Sequence, residues 1–241
     1  MNKKLKIILG IILALIIVVA GYLVWYANDY AHTESSVNVL LNGTENVTVN
    51  KIDNGLFLDG PGNETALIFY PGAKIEYTSY LPMLMDLSND GVDCFLVEMP
   101  LNLAVIGSNS ADSIIGNSNY AYDKWYISGH SLGGWAAAKY LKNHPNELDG
   151  LILLAAYSDE DLGNIPVLSV YGTKDGNLNM VTYDESKWFI DGNLTEVVID
   201  GGNHAQFASY GIDPKDGKAT ISPQEQKNQT EKAILDFIKN Q

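Results

Sequence analysis

The chain begins with one unbroken apolar run and then changes to alternating patterns. Residues 7–26 carry no charged side chain. Twenty residues of helix span about 30 Å at roughly 1.5 Å per residue, enough to cross a hydrocarbon core. Lys3, Lys4 and Lys6 precede the run, Trp25 and Tyr26 close it, and Asp29 is the first acid. By the positive-inside rule the N-terminus stays in the cytoplasm and the remainder is exported, with the aromatic pair at the interface. The competing reading is a signal peptide removed after export, leaving a secreted protein. The run is longer than the usual apolar core of such signals, and its small-residue pair Ala20-Gly21 lies inside it. The expected organisation is a membrane signal-anchor over 1–28, a short polar linker over 29–36 and one catalytic-sized domain over 37–241. Residues 7–26 would contact the lipid bilayer.

Beyond the linker, strand-like runs at 37–41, 47–52 and 56–58 are separated by the turn dipeptides Asn42-Gly43, Asn54-Gly55 and Pro61-Gly62. These predict an antiparallel edge. Apolar, β-rich runs at 66–70, 92–99, 124–128, 151–156, 167–171 and 196–199 then alternate with helical stretches at 77–88, 132–143 and 223–239. The last helix starts on Pro223 and places Ala233, Ile234, Phe237 and Ile238 on one face. Continuous apolar strands alternating with helices predict an α/β fold with a mostly parallel central sheet covered on both faces.

Charge and cysteine content narrow the function classes. All 15 basic residues are lysine against 29 acids, a net charge of −14. Three of those lysines and none of the acids lie in residues 1–28, so residues 29–241 carry −17. Such a surface excludes nucleic acid as a partner, because binding it depends on clustered cations. The single cysteine, Cys94, excludes an internal disulfide and sits on an apolar strand where a thiol packs as a small hydrophobe. No histidine pair has metal-ligand spacing, so neither a metal nor another cofactor is expected. Oligomeric state leaves no mark on the sequence. Five Asn-x-Ser/Thr sites (Asn42, Asn46, Asn63, Asn193 and Asn228) are glycan acceptors only in a host with the machinery.

The candidate chemistry starts at Gly129-His130-Ser131-Leu132-Gly133. This G-x-S-x-G follows a predicted strand and opens a predicted helix, the context of a nucleophile elbow. Ser131 is the candidate nucleophile. Asp175 follows the strand 167–171, and His204 follows the strand ending near 199. Each therefore falls at the carboxyl end of a strand, the edge where open α/β sheets hold their sites. His204 is the candidate base, and Asp175 the carboxylate that fixes its tautomer. The backbone N–H of Leu132 is one expected oxyanion donor. Ala73, in the loop after strand 66–70, is the second, with Lys74 the adjacent alternative. His130, His144 and His32 are weaker candidates. His130 is expected to pack near the elbow, and His144 to complement a helix end.

The elbow at 129–133, the Asp175 turn and Gly202-Asn203-His204-Ala205-Gln206-Phe207 together resemble the α/β-hydrolase family over about residues 60–240. The compact, cap-less members, such as small carboxylesterases and dienelactone hydrolases, are the most similar in outline. The resemblance implies the α/β-hydrolase fold and ester or thioester hydrolysis through an acyl-serine. Dienelactone hydrolases proper use a cysteine nucleophile, whereas this position is Ser131. Lids of lidded relatives enter after the strand matching 151–156. Here only residues 157–166 intervene, so no cap domain is expected and the open cleft suits small or accessible esters better than interfacial lipolysis. The rim is expected from Glu98-Met99-Pro100 and the loop 101–119. Tyr77, Tyr80 and Phe207 are pocket candidates, two of the three being better placed as core. Acyl transfer to a cell-envelope acceptor, and an inactive binding module on a hydrolase scaffold, are the alternatives to ester hydrolysis.

Overall fold

The computed structural model describes residues 2–190 and 193–241. Among these residues, eight strands form one sheet: β1 (Thr48–Ile52), β2 (Gly55–Asp59), β3 (Thr65–Tyr70), β4 (Asp93–Val97), β5 (Lys124–His130), β6 (Gly150–Leu154), β7 (Val167–Gly172) and β8 (Leu194–Ile199). The helices are α1 (Lys3–Asn28), α2 (Leu81–Asn89), α3 (Asp112–Ile115), α4 (Leu132–Asn143), α5 (Met180–Ser186) and α6 (Pro223–Lys239). The strand order is β1-β2-β4-β3-β5-β6-β7-β8. β1 and β2 pair antiparallel, as do β2 and β4, and every other neighbouring pair is parallel. The predicted mostly parallel sheet with an antiparallel edge is thus present.

Strand pleating divides the core in two. On β3, Leu67 and Phe69 face a cluster that includes Leu84 and Leu87 of α2 and Ile234 and Phe237 of α6. Ala66, Ile68 and Tyr70 face the opposite side, against Ala136, Ala137, Tyr140 and Leu141 of α4. This period-two partition is what a strand buried on both faces requires. The alanines of α4 let that helix lie close to the sheet. Cys94 is buried in the first cluster, and burial pushes its thiol up to about 12.

The run 37–41 is not a strand. Residues Ser35–Asn42 form a 3-10 helix in which Val37 is buried while Val39 is 67% exposed. Alternate residues would share a face in a strand. Here local bonds such as Val37 N–H to the Glu34 carbonyl satisfy the backbone before β1 begins at Thr48. The short helices α3 and α5 lie in segments without a sustained apolar period.

α1 is exposed from Lys3 to Trp25 and is long and apolar enough to cross a membrane, a property shared by anchors and signal sequences. The polar stretch that follows it is hydrogen-bonded to the domain. Ala31 donates to the Lys74 carbonyl (2.8 Å) and accepts from the Glu76 N–H (2.9 Å). The Thr33 N–H donates to the Glu76 carboxylate at 2.9 Å.

Candidate active site

The sheet places the site where its winding reverses. From β3 the chain moves outward to β4, then crosses back to β5 on the other side of β3. The crevice beyond the carboxyl ends of β3 and β5 is such a switch point. Ser131 stands there, between the end of β5 and the first residue of α4. Its backbone has φ 53° and ψ −123°, a conformation that costs on the order of 1–3 kcal/mol for a non-glycine residue. Close packing holds it. A Cβ on Gly129 would lie 2.4 Å from the Gly133 carbonyl carbon, and one on Gly133 would lie 2.2 Å from the Tyr70 oxygen. The two glycines of the motif therefore let β5, α4 and β3 approach closely. The Ser131 N–H donates to the Leu154 carbonyl (2.9 Å), tying the elbow to β6.

Asp175 and His204, remote in sequence, are adjacent in space. His204 Nδ1 lies 2.9 Å and 3.2 Å from the two carboxylate oxygens of Asp175. The same carboxylate accepts from the N–H groups of Asn177 (2.9 Å) and Leu178 (2.7 Å). Both side chains are buried. With Nδ1–H directed at the carboxylate, Nε2 is the nitrogen left to act as a base. Ser131, Leu132 and His204 line one open cleft of about 530 Å³, together with Val105, Trp135 and Tyr157. The rim segment 101–119 contributes Val105, and the loop 157–166 contributes Tyr157 and Asp159.

The loop after β3 distinguishes the oxyanion candidates. The Gly72 N–H donates to the Tyr80 hydroxyl (3.0 Å), and the Lys74 N–H donates to the Asn102 carbonyl (2.8 Å). Among the described residues, neither the Ala73 N–H nor the Leu132 N–H has a protein acceptor. Of the two alternatives in this loop, Ala73 keeps a free donor and Lys74 does not.

His130 packs against the elbow, as its position predicted. It is fully buried, its ring centroid 4.4 Å from that of His204 and 5.6 Å from that of Phe207. Its Nδ1 lies 2.8 Å from the Tyr80 hydroxyl. That oxygen already accepts from Gly72, and burial raises its pKa well above 10, so its proton goes to His130 Nδ1. Burial, followed by the neighbouring His204 imidazole, holds the His130 pKa well below 6.5. His130 is therefore a neutral spacer. Tyr80 and Phe207 are core, and half-buried Tyr77 packs on that core; none of the three lines the cleft. His144 Nδ1 meets the Tyr140 carbonyl (2.9 Å) at the end of α4, and His32 lies 3.4 Å from Glu76. Among the described residues no cluster of His, Cys, Asp or Glu is arranged to hold a metal.

Three residues have supporting roles that the sequence did not show. Gln226, fully buried on α6, accepts from the Asn203 N–H (2.9 Å) and donates to the Asn203 carbonyl (2.7 Å), which fixes the residue before His204. The Asp216 carboxylate accepts from the N–H groups of Gly176 and Ala205, each at 2.8 Å, and joins the two loops that carry Asp175 and His204. Tyr80 is the third. Only Gln226 left a signal, as a polar residue in register with the apolar face of α6 through Thr230, Ile234 and Phe237.

The model of the alpha/beta hydrolase family matches residues 66–228. No curated protein sequence matches the chain. Similar solved structures include a predicted CIB-like hydrolase from Thermoplasma acidophilum, 15% identical over 81% of this chain and 99% of that one, with a TM-score of 0.62. A dienelactone hydrolase from Anabaena variabilis is 12% identical over 80% and 99% of the two chains, with a TM-score of 0.63. Est1E from Butyrivibrio proteoclasticus is 13% identical over 81% and 100%, with a TM-score of 0.58. At these identities the likeness is one of fold.

Proposed function

The chain belongs to the alpha/beta hydrolase family, and from that premise we propose that it is a serine hydrolase of carboxylic esters, anchored by residues 7–26 and acting outside the membrane. One observation carries this reading: Ser131, held in a left-handed turn, opens onto the same cleft as His204, whose Nδ1 is on the buried Asp175 carboxylate.

In the proposed reaction His204 Nε2 takes the Ser131 proton as Oγ attacks the ester carbonyl. The tetrahedral oxyanion accepts from the N–H groups of Leu132 and Ala73, donors that need no reorganisation as charge develops. His204, now an imidazolium stabilised by Asp175, protonates the departing alkoxide. The same base then activates water, whose attack on the acyl-serine releases acid and restores Ser131. No step calls for a cofactor.

The test is labelling of detergent-solubilised full-length protein with a fluorophosphonate, which forms a stable adduct on an activated serine. Labelling that is lost in Ser131→Ala is expected, together with turnover of p-nitrophenyl acetate. Labelling that persists in Ser131→Ala, or none in the wild-type chain, overturns the proposal.

A further inference from the structure

The contacts between the end of α1 and the candidate oxyanion loop tie the cleft to the membrane. Lys74, the residue after Ala73, places its Nζ 2.7 Å from Asp29 and 4.3 Å from the ring centre of Tyr26 in the last turn of α1. Ala31 is bridged to Ile75, so three residues at most separate the helix end at Asn28 from the loop beside Ser131. Three extended residues span about 10 Å. The Lys74 N–H is bonded in turn to the Asn102 carbonyl, which joins the segment Pro100–Gly107 to the same corner.

That segment is uncharged and displays apolar side chains at the surface. No charged residue occurs between Glu98 and Asp112 in a domain that otherwise carries −17. Leu101, Val105 and Ile106 are 51%, 46% and 55% exposed, and Val105 lines the cleft. Leu101 and Asn102 hold positive φ angles of 55° and 54°. Strained backbone that displays apolar side chains marks a surface meant to be covered. At the corner where the segment meets the end of α1, Asp29 and Lys74 pair with each other.

We propose that the cleft faces the leaflet from which α1 emerges, with Leu101, Val105 and Ile106 seated at headgroup level, and that its substrates are acyl esters of amphiphiles held in that leaflet. The proposal rests on residues 7–26 being an anchor and on Ser131 being the nucleophile. The short loop 157–166, which taken alone favours accessible esters over interfacial ones, does not oppose this, since a cleft held permanently at the interface has no use for a lid. The single native thiol is buried, so one introduced cysteine is the only accessible label.

The experiment uses full-length protein in phosphatidylcholine vesicles, with an environment-sensitive fluorophore at Leu101→Cys, at Tyr22→Cys within α1, or at Asp123→Cys. Asp123 is exposed at the opposite end of the strand that leads to Ser131. Quenching of the Tyr22 and Leu101 probes by shallow spin-labelled lipid, with the Asp123 probe unaffected, is expected. A quenched Tyr22 probe beside an unquenched Leu101 probe overturns the orientation, and an unquenched Tyr22 probe removes the anchor on which it depends. In parallel, Leu101→Ser/Ile106→Ser is compared with wild type on p-nitrophenyl palmitate in the vesicles and on soluble p-nitrophenyl acetate. Turnover of the vesicle-borne ester is expected to fall about tenfold, the effect of one well-buried apolar side chain, with the soluble ester unchanged. Equal effects on both esters, or none on either, overturn supply from the leaflet. No Ser131-dependent turnover of either ester refutes the hydrolase reading instead, and the quenching pattern still reports the orientation.

Discussion

Ala73 follows β3 and His204 follows β8, on either side of the strand that leads to Ser131, and the protein holds the two by different means. The His204 side is self-contained. Asp175 receives two backbone N–H groups and the imidazole, Asp216 ties its loop to that of His204, and Gln226 grips Asn203 from α6. All of these partners belong to the folded domain and most are buried. The Ala73 side is shared. Gly72 is held from within by Tyr80, but Lys74, with φ 56°, is held by Asn102 and by Ala31 and Asp29 from the stretch after α1. An imidazole held by many buried bonds tolerates the loss of any peripheral one. A donor held from the α1 side is expected to respond to whatever happens there.

The sharpest probe of the self-contained side is Asp175→Asn. The amide oxygen still accepts from Asn177 and Leu178, but its NH₂ group faces Nδ1 and favours the wrong tautomer of His204. A drop in kcat of about 10³–10⁴ with an unchanged melting profile is expected, by analogy with the same change in a serine protease triad. The corresponding change on the shared side is a chain that starts at Ser35, which loses Asp29, Ala31 and Thr33. Because the Ala73 donor is loosened rather than removed, kcat on a soluble ester is expected to fall about tenfold, less than the 10²–10³ for deleting an oxyanion donor. KM should stay where it is, since the Asp175–His204 pair is untouched. If the shortened chain keeps full kcat, the two sides are equally independent and the comparison fails.

Tyr80→Phe tests the bond that joins both sides. It leaves the Gly72 N–H and His130 Nδ1 buried without a partner, at a cost of about 1–3 kcal/mol in chemical denaturation. kcat should fall with it, because Gly72 precedes Ala73; unchanged kcat would assign Tyr80 to stability alone. The smallest effect concerns His130. Its folded pKa lies well below 6.5, so below pH 6.5 the unfolded chain binds a proton that the folded chain does not. Stability from this group is therefore complete above pH 6.5 and is lost as pH falls through that value toward the folded pKa. In His130→Asn the decline in Tm between pH 7 and pH 5 should be shallower than in wild type. Parallel Tm curves would mean that the imidazole is not kept neutral by the fold.

Much of this was legible in the chain, for local reasons. The bounds of α4 and α6 coincide with the stretches read from periodicity, because capping and apolar spacing act within a few residues. The elbow was legible because glycines at 129 and 133 are a local requirement of the turn. The run 37–41 misled, because three alternating apolar residues meet the strand pattern whether or not a sheet edge is available to pair with them. The bonding roles of Asp216 and Tyr80 left no signal: Asp216 bonds residues 40 and 11 positions away, and Tyr80 meets His130 across 50.

By itself, then, the sequence determined an apolar helix, an alternating α/β sheet, a serine in a glycine-flanked turn and an acid and a histidine at later strand ends. Each of these depends on hydropathy and backbone preference over short spans. Only the tertiary structure decided that Ala73 rather than Lys74 keeps a free N–H, that Gln226 and Asp216 set the His204 loop, and that the end of α1 grips the loop beside Ser131. Those outcomes depend on which distant groups come to compete for the same donor, a competition that arises only once the chain has folded.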